Sequence, residues 1–300
     1  MTRKDSSFLY HPNVILGAAC GIAILILGPR SALGLFTDPV SQARGWGRDV
    51  FALAIAIQHL VWGLAQPAAG ALADRFGCRR VITVGALAYA LGFALMPLAA
   101  TPLEFQLTAG MLVGFALAGT GFPVVVAALG RLMPAERRST ALGVATAAGS
   151  IGQFLFAPIG QAFISSYGWS SALWFMAAAV LTVLVLAIPF GADRSPRSTA
   201  INPGLGFFAA LRGAFAHRSY VLLVAGFFVC GFHVSFIMVH LPPYLGDIGV
   251  SAAHAAWALG IIGLFNIFGA FGAGYLGGRF PKRTLLSLLY AARAVLIVAF

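Results

Sequence analysis

Gly70-Ala-Leu-Ala-Asp74-Arg75-Phe76-Gly77-Cys78-Arg79-Arg80 joins two long apolar runs, and Gly274-Tyr-Leu-Gly-Gly278-Arg279-Phe280-Pro281-Lys282-Arg283 joins two others further along the chain. The two stretches are offset by 204 residues, and at that offset Gly, Leu, Arg, Phe and a terminal Arg coincide. A basic connector recurring at fixed spacing between apolar runs marks a duplicated half, with both copies oriented alike. The flanking runs must therefore be read before the connectors themselves.

Hydrophobic residues make up 60% of the 300 residues and charged residues only 9%. Soluble domains carry about a quarter charged residues, so these charges are too few to cover a water-facing surface. That excludes a soluble enzyme, a disordered chain, a coiled coil and a collagen. A membrane barrel needs short alternating strands, whereas these runs are continuously apolar. Approximate helices are expected at 13–36, 48–73, 80–99, 103–131, 139–165, 168–190, 219–246, 251–278 and 284–300. Each approaches the roughly 20 residues needed to cross a bilayer. The expected class is an all-α membrane protein with about nine transmembrane helices.

The net charge of +11 does not indicate a nucleic-acid partner, because the bases sit in small clusters between apolar runs and form no continuous patch. With the N-terminus cytoplasmic, the inner segments hold fifteen Lys and Arg and the outer ones only Arg44 and Arg48. This asymmetry sets the N-terminus inside. Residues 191–218 form the one long polar, basic loop and divide 1–190, a six-helix bundle, from 219–300, an incomplete second bundle. The chain stops within the apolar run Leu296-Ile-Val-Ala-Phe300, which suggests a truncated chain and an expectation that it does not transport by itself. Cys20, Cys78 and Cys230 show no disulfide or metal spacing. Neither metal nor cofactor is expected.

The first connector closely resembles the loop 2–3 signature of the major facilitator superfamily, G-x-L-a-D-r-x-G-r-k. Gly70, Leu72, Asp74, Arg75 and Gly77 stand at its positions, with Arg79 and Arg80 as its basic end. The resemblance implies two bundles that rock about a central site, and a gating role for Gly70, Asp74, Arg75, Gly77, Arg79 and Arg131. Physically, Gly70 lets a neighbouring helix come close, Gly77 supplies a positive-φ turn, and Asp74 suits the start of the third helix. Asp74 can pair with Arg131 or Arg137. The alternative is a solvated loop with ordinary topology charges. Gly28-Pro29-Arg30-Ser31 is similar to a segment of monocarboxylate porters in which a lysine faces substrate, and Gly45-Trp46-Gly47-Arg48-Asp49 resembles the start of the second helix in bacterial monocarboxylate and oxalate–formate-type porters. Arg30 stands where those porters have Lys. Asn266 and Ala270 align with an Asp and an Arg of the animal porters.

All eight acidic residues fall in loops or at helix ends, and the spans hold two arginines, Arg30 and Arg293. A cation at mid-bilayer costs about 2.5–3.5 kcal/mol on the gentler insertion scale. With no acid nearby, a bound anion is its natural partner, and guanidinium matches a carboxylate bidentately. Snorkelling of Arg30 and an interhelical hydrogen bond from Arg293 are the competing readings. Gln58, Trp62 and Gln66 form a polar stripe at i, i+4 and i+8, suited to cavity lining or to interhelical bonding. With Asn266 they complete the substrate-binding candidates. His59, His233 and His240 are the proton-coupling candidates, set against histidines satisfied by neighbouring helices.

The function expected is secondary transport of a small organic anion, a mono- or dicarboxylate, by alternating access, with a proton or counter-substrate as possible co-passenger and no oligomer required. The location expected is a bacterial inner membrane. The alternatives are a drug or cation exporter and a non-transporting truncated pseudo-carrier. An exporter of that kind needs an intramembrane acid. A polytopic enzyme needs a His/Asp or His/Glu constellation at the membrane surface. Neither is present in the sequence, and no Walker-type loop encodes ATP drive.

Overall fold

A computed structural model describes residues 9–192, 207–277 and 279–299. The helices are α1 (Pro12–Ser31), α2 (Thr37–Arg44), α3 (Arg48–Phe76), α4 (Cys78–Leu95), α5 (Pro102–Phe105), α6 (Val113–Thr120), α7 (Phe122–Leu132), α8 (Ala135–Leu181), α9 (Val183–Leu186), α10 (Phe207–Ala216), α11 (Arg218–Asp247), α12 (Ala252–Gly277) and α13 (Lys282–Ala299). Among the described residues there is no strand. This follows from the sequence, because in hydrocarbon only a helix satisfies every backbone polar group within one segment. Residues 193–206, most of the polar connector between the two expected bundles, lie outside the described residues, as do Arg3 and Lys4.

Local chemistry fixes the ends. Thr101 caps α5 by accepting the Glu104 N–H, and the Glu104 carboxylate accepts from the Thr101 N–H in return, a reciprocal capping box that meets two orphan donors. Gly77 lies at φ 89° between α3 and α4, where a side chain would be strained. It makes the turn expected of it.

Several boundaries differ from the sequence expectation. The first apolar run does not stay α-helical to residue 36: α1 ends at Ser31, a 3-10 turn covers Leu33–Phe36, and α2 follows. Pro29 within α1 removes a backbone donor, and the Ser31 hydroxyl donates to the Gly28 carbonyl at 2.7 Å as the helix closes. The expected helices 139–165 and 168–190 are joined without a loop, the break confined to Gly168 at φ 83°. Helix 103–131 contains a π-helical stretch, Gln106–Leu112, and a further break at Gly121. Such π stretches leave carbonyls off the ordinary i→i−4 ladder.

The core lies in the first half of the chain. Ile22, Ile26, Phe36, Tyr89, Phe93, Phe105 and Leu117 are fully buried in one cluster. The densest packing is of α1 along α8, with Gly152 directly against the Ile24 backbone, the close approach that small residues give membrane helices. Two packing contacts dominate where the second half meets the first. Helix α12 lies along α8, burying Ala255, Ala256 and Leu259. Helix α11 touches the 3-10 turn after α1, with Met238 and Val239 against Gly34, and buries Val239, Pro242 and Pro243 but is otherwise largely exposed. Where these contacts meet, α1, α3 and α11 enclose a cleft.

Candidate binding site

The cleft is built from five polar side chains set in an apolar wall: Arg30, Ser31, Gln58, His59 and Ser235. Arg30 comes from the last turn of α1, where a helix C-terminus favours a cation. Its Nη2 lies 2.8 Å from His59 Nε2 on α3, and its guanidinium carbon is 4.8 Å from the centre of the Trp62 ring. Stacking of this kind suits the planar, weakly hydrated guanidinium. His59 Nδ1 is 2.8 Å from the Ile55 carbonyl oxygen, which can only accept. These partners assign the imidazole proton to Nδ1 and leave Nε2 as the acceptor. That acceptor also takes the Ser235 hydroxyl of α11 at 3.0 Å. One imidazole thus holds groups from both halves of the chain.

Gln58 is fully buried one position before His59. Its amide NH2 donates at 3.1 Å to the carbonyl of Ala109, a residue of the π-helical stretch. Its carbonyl oxygen has no partner among the described residues, and neither has Arg30 Nε. Arg30, Gln58, His59 and Ser235 all line the cleft, with Ile55, Leu33 and Met238 as apolar walls.

The remaining candidates lie elsewhere. Gln66 accepts from the Trp62 indole N–H at 3.0 Å and steadies that ring without lining the cleft. Asn266 donates to Ser150 at 3.0 Å across the α12–α8 contact. Arg293 points at Cys230, 3.4 Å from its sulfur, so α13 is tied to α11 and the guanidinium is not brought to the cleft. His233 and His240 do not line it either; His240 is exposed with its ring 4.7 Å from Phe236. Ser235 was not singled out in the sequence, because one hydroxyl in an apolar helix leaves no periodic trace.

The ends of the bundle differ. At one end Arg48 reaches Asp38 at 2.6 Å and forms two bonds to Asp247, at 2.7 and 2.8 Å, joining the starts of α2 and α3 to the end of α11. Directly beneath, the backbone of Gly34 packs on Met238 so tightly that a Cβ would strike the Met238 carbonyl. Gly34 and Met238 both line the cleft, so this contact forms part of its wall. At the opposite end Arg131 is 3.5 Å from Asp74 and 2.9 Å from the sulfur of Cys78, linking the connector quoted first to α7. Arg75 lies over the Phe76 ring at 5.2 Å. All ion pairs among the described residues involve these two ends, and none reaches Arg30.

Residues 18–300 match the family model of the Major Facilitator Superfamily. The human protein named monocarboxylate transporter 11 is 31% identical over 260 residues, covering 81% of this chain and 51% of its own length. An uncharacterised MFS-type transporter of Bacillus subtilis strain 168, YcxA, is 26% identical over 279 residues, covering 90% of this chain and 66% of its own length. The chain thus spans about half to two-thirds of the length of these curated relatives. Among solved structures, a bacterial homologue of the human lysosomal transporter Spinster, in an inward-facing and unoccupied conformation, superposes with a TM-score of 0.67 at 20% identity. It covers 94% of this chain and 64% of that one. The Escherichia coli xylose transporter XylE gives a TM-score of 0.59 at 15% identity, covering 90% and 70%.

Proposed function

The chain belongs to the Major Facilitator Superfamily, and from that premise we propose that it forms the anion-binding part of a secondary transporter for a small organic anion, a monocarboxylate in the first instance. The observation that supports this most is Arg30: a guanidinium inside the bundle, stacked on Trp62 and held by a neutral imidazole, with no carboxylate in contact among the described residues. A buried charge without a counter-ion is costly, and a passenger carboxylate relieves that cost during each cycle. The similarity to a protein named as a monocarboxylate transporter is consistent with the same cargo. The absence of any acidic residue from the interior of the apolar runs speaks against a cationic drug.

In this proposal residues 1–190 and 219–300 belong to two bundles that rock about the cleft, joined by 191–218. We take the N-terminus to be cytoplasmic, in a bacterial inner membrane, because the basic residues favour that side; the Arg48 end is then the outer face, and its ion pairs and the Gly34–Met238 contact are read as closing it. His59 is the favoured proton-coupling group: a proton on Nε2 would set it against the Arg30 N–H it now accepts, and free the guanidinium. His233 and His240 lie outside the cleft and have no such contact.

A thermal-shift series against small mono- and dicarboxylates tests the assignment. A monocarboxylate at 100 times its Kd is expected to add about 2.7 kcal/mol of stability, and sodium chloride at equal ionic strength is expected to add none. Stabilisation by organic cations alone would overturn it.

Asp74 supports a separate prediction. If its pairing with Arg131 holds one conformation, Asp74→Asn is expected to slow turnover several-fold while substrate affinity changes less than twofold. Transport and equilibrium binding measured on the same preparation decide this, and a pure affinity loss rules out the gating role.

A further inference from the structure

Helix α10 (Phe207–Ala216) leads directly into the long apolar helix α11. The last residue of α11, Asp247, pairs with Arg48, and α11 is 30 residues long, about 45 Å. Helix α10 therefore lies at the opposite end of the bundle, where α11 leaves the apolar layer. At helical spacing Phe207, Phe208, Leu211 and Phe215 share one side of α10, and Ala209, Gly213 and Ala216 the other. Phe215 is half exposed, and its ring meets that of Tyr220, in the first turn of α11, edge-on at 5.4 Å. Arg212, three residues before Phe215, flanks the apolar side, and Arg218 starts α11; both are exposed. No ion pair among the described residues involves either of them, whereas Arg48 and Arg131 each have a carboxylate. The sequence offers none nearby, since no Asp or Glu occurs between Asp193 and Asp247.

We infer that α10 is an interfacial helix that docks on a leaflet of anionic phospholipid, with its Phe215 side at the acyl boundary and Arg212 and Arg218 among the headgroup phosphates. The occupant is a lipid surface because this patch begins where a membrane span ends, within reach of the headgroups. Aromatic rings favour that layer, and bases beside it without acids favour its anionic lipids. Each base near an anionic surface strengthens docking about fivefold, so the two together give about thirtyfold. Docking of α10 ties the connector between the two halves of the chain to the membrane surface. The inference is independent of what Arg30 binds.

The test uses the full chain with Cys20, Cys78 and Cys230 replaced by Ser and a single new cysteine, from Phe215→Cys or Gly213→Cys, carrying an environment-sensitive fluorophore. Each protein is reconstituted into phosphatidylcholine vesicles with and without phosphatidylglycerol. The label at 215 is expected to be shielded from water when phosphatidylglycerol is present and much less so in phosphatidylcholine alone. The label at 213 is expected to stay water-like in both. About 1 M salt, where the screening length falls to about 3 Å, should release the label at 215. Adding Arg212→Gln and Arg218→Gln should return its shielding to the phosphatidylcholine level. Shielding of 215 to the same extent in both lipids means that protein covers it, and overturns the inference. A water-like label at 215 with phosphatidylglycerol present also overturns it, as does lipid dependence that survives both Arg substitutions. If the Arg variants do not insert, the lipid and salt dependence of the two labels decides alone.

Discussion

In a transporter that contains this chain as its anion-binding part, Arg30→Gln is expected to reduce uptake of the preferred anion by at least a hundredfold while the protein still inserts and folds. The reasoning is electrostatic. Glutamine retains donors able to reach the His59 Nε2 that Arg30 now contacts at 2.8 Å, so the local network survives. What is lost is the charge. Removing one member of a desolvated, hydrogen-bonded charge pair costs about 2–5 kcal/mol, and here the pair exists only when the passenger is bound. The free protein should therefore become no less stable, because an uncompensated buried charge has been removed. Arg30→Lys separates charge from shape. It keeps the charge but forfeits the Nε donor and the stacked plane over Trp62, so partial activity with a raised KM is expected. Uptake of Arg30→Gln at the parent rate would remove Arg30 from the site.

In the same transporter, Gly34→Val should abolish uptake by a different route. A Cβ at Gly34 runs into the Met238 carbonyl oxygen, with Val239 Cα 3.2 Å away, and both obstacles are backbone. Neither swings aside as a side-chain end does, so α11 cannot seat on the turn after α1. The ion pairs above it, from Arg48 to Asp38 and Asp247, are then held apart. Exposed pairs of this kind contribute about 0–1 kcal/mol each, too little to force the backbones together. The carrier should stay open at the Arg48 end, binding its anion yet not releasing it across the membrane. Binding within about threefold of the parent, with uptake lost, is the expected split. A cysteine placed at Leu33, with Cys20, Cys78 and Cys230 replaced by Ser, should also react faster with an impermeant thiol reagent from outside. Normal uptake by Gly34→Val would show that the contact is not part of the cycle.

Much of this molecule is written in hydropathy and charge. Long uncharged runs cannot fold in water, so the helical character of these runs follows from composition, although two of the nine expected helices run together through Gly168, and a Gly at position 77 followed by bases marks a turn at a membrane face. Arg30 was legible for the same reason, since a cation inside an apolar run is conspicuous. What escaped detection depends on which surfaces meet. Ser235 is one hydroxyl among apolar neighbours, and only the crossing of α11 over α3 gives it meaning. Arg48 resembles an ordinary loop charge until the fold brings Asp247 beside it from 199 residues away. Gln66, Asn266 and Arg293 carry the right chemistry for a site, yet nearby partners take it up: an indole, a serine and a thiol. The break between the expected helices 139–165 and 168–190 narrows to Gly168, because one positive-φ residue can redirect a chain without any polar segment.

The central claim is that a guanidinium without a counter-ion waits for a negative passenger. Equilibrium binding of propanoate and of its neutral isostere propanamide to the purified protein, with and without Arg30→Gln, tests this most directly. The account predicts saturable propanoate binding, propanamide at least a hundredfold weaker, and loss of the difference in Arg30→Gln. Equal binding of the two ligands by the parent protein would contradict it.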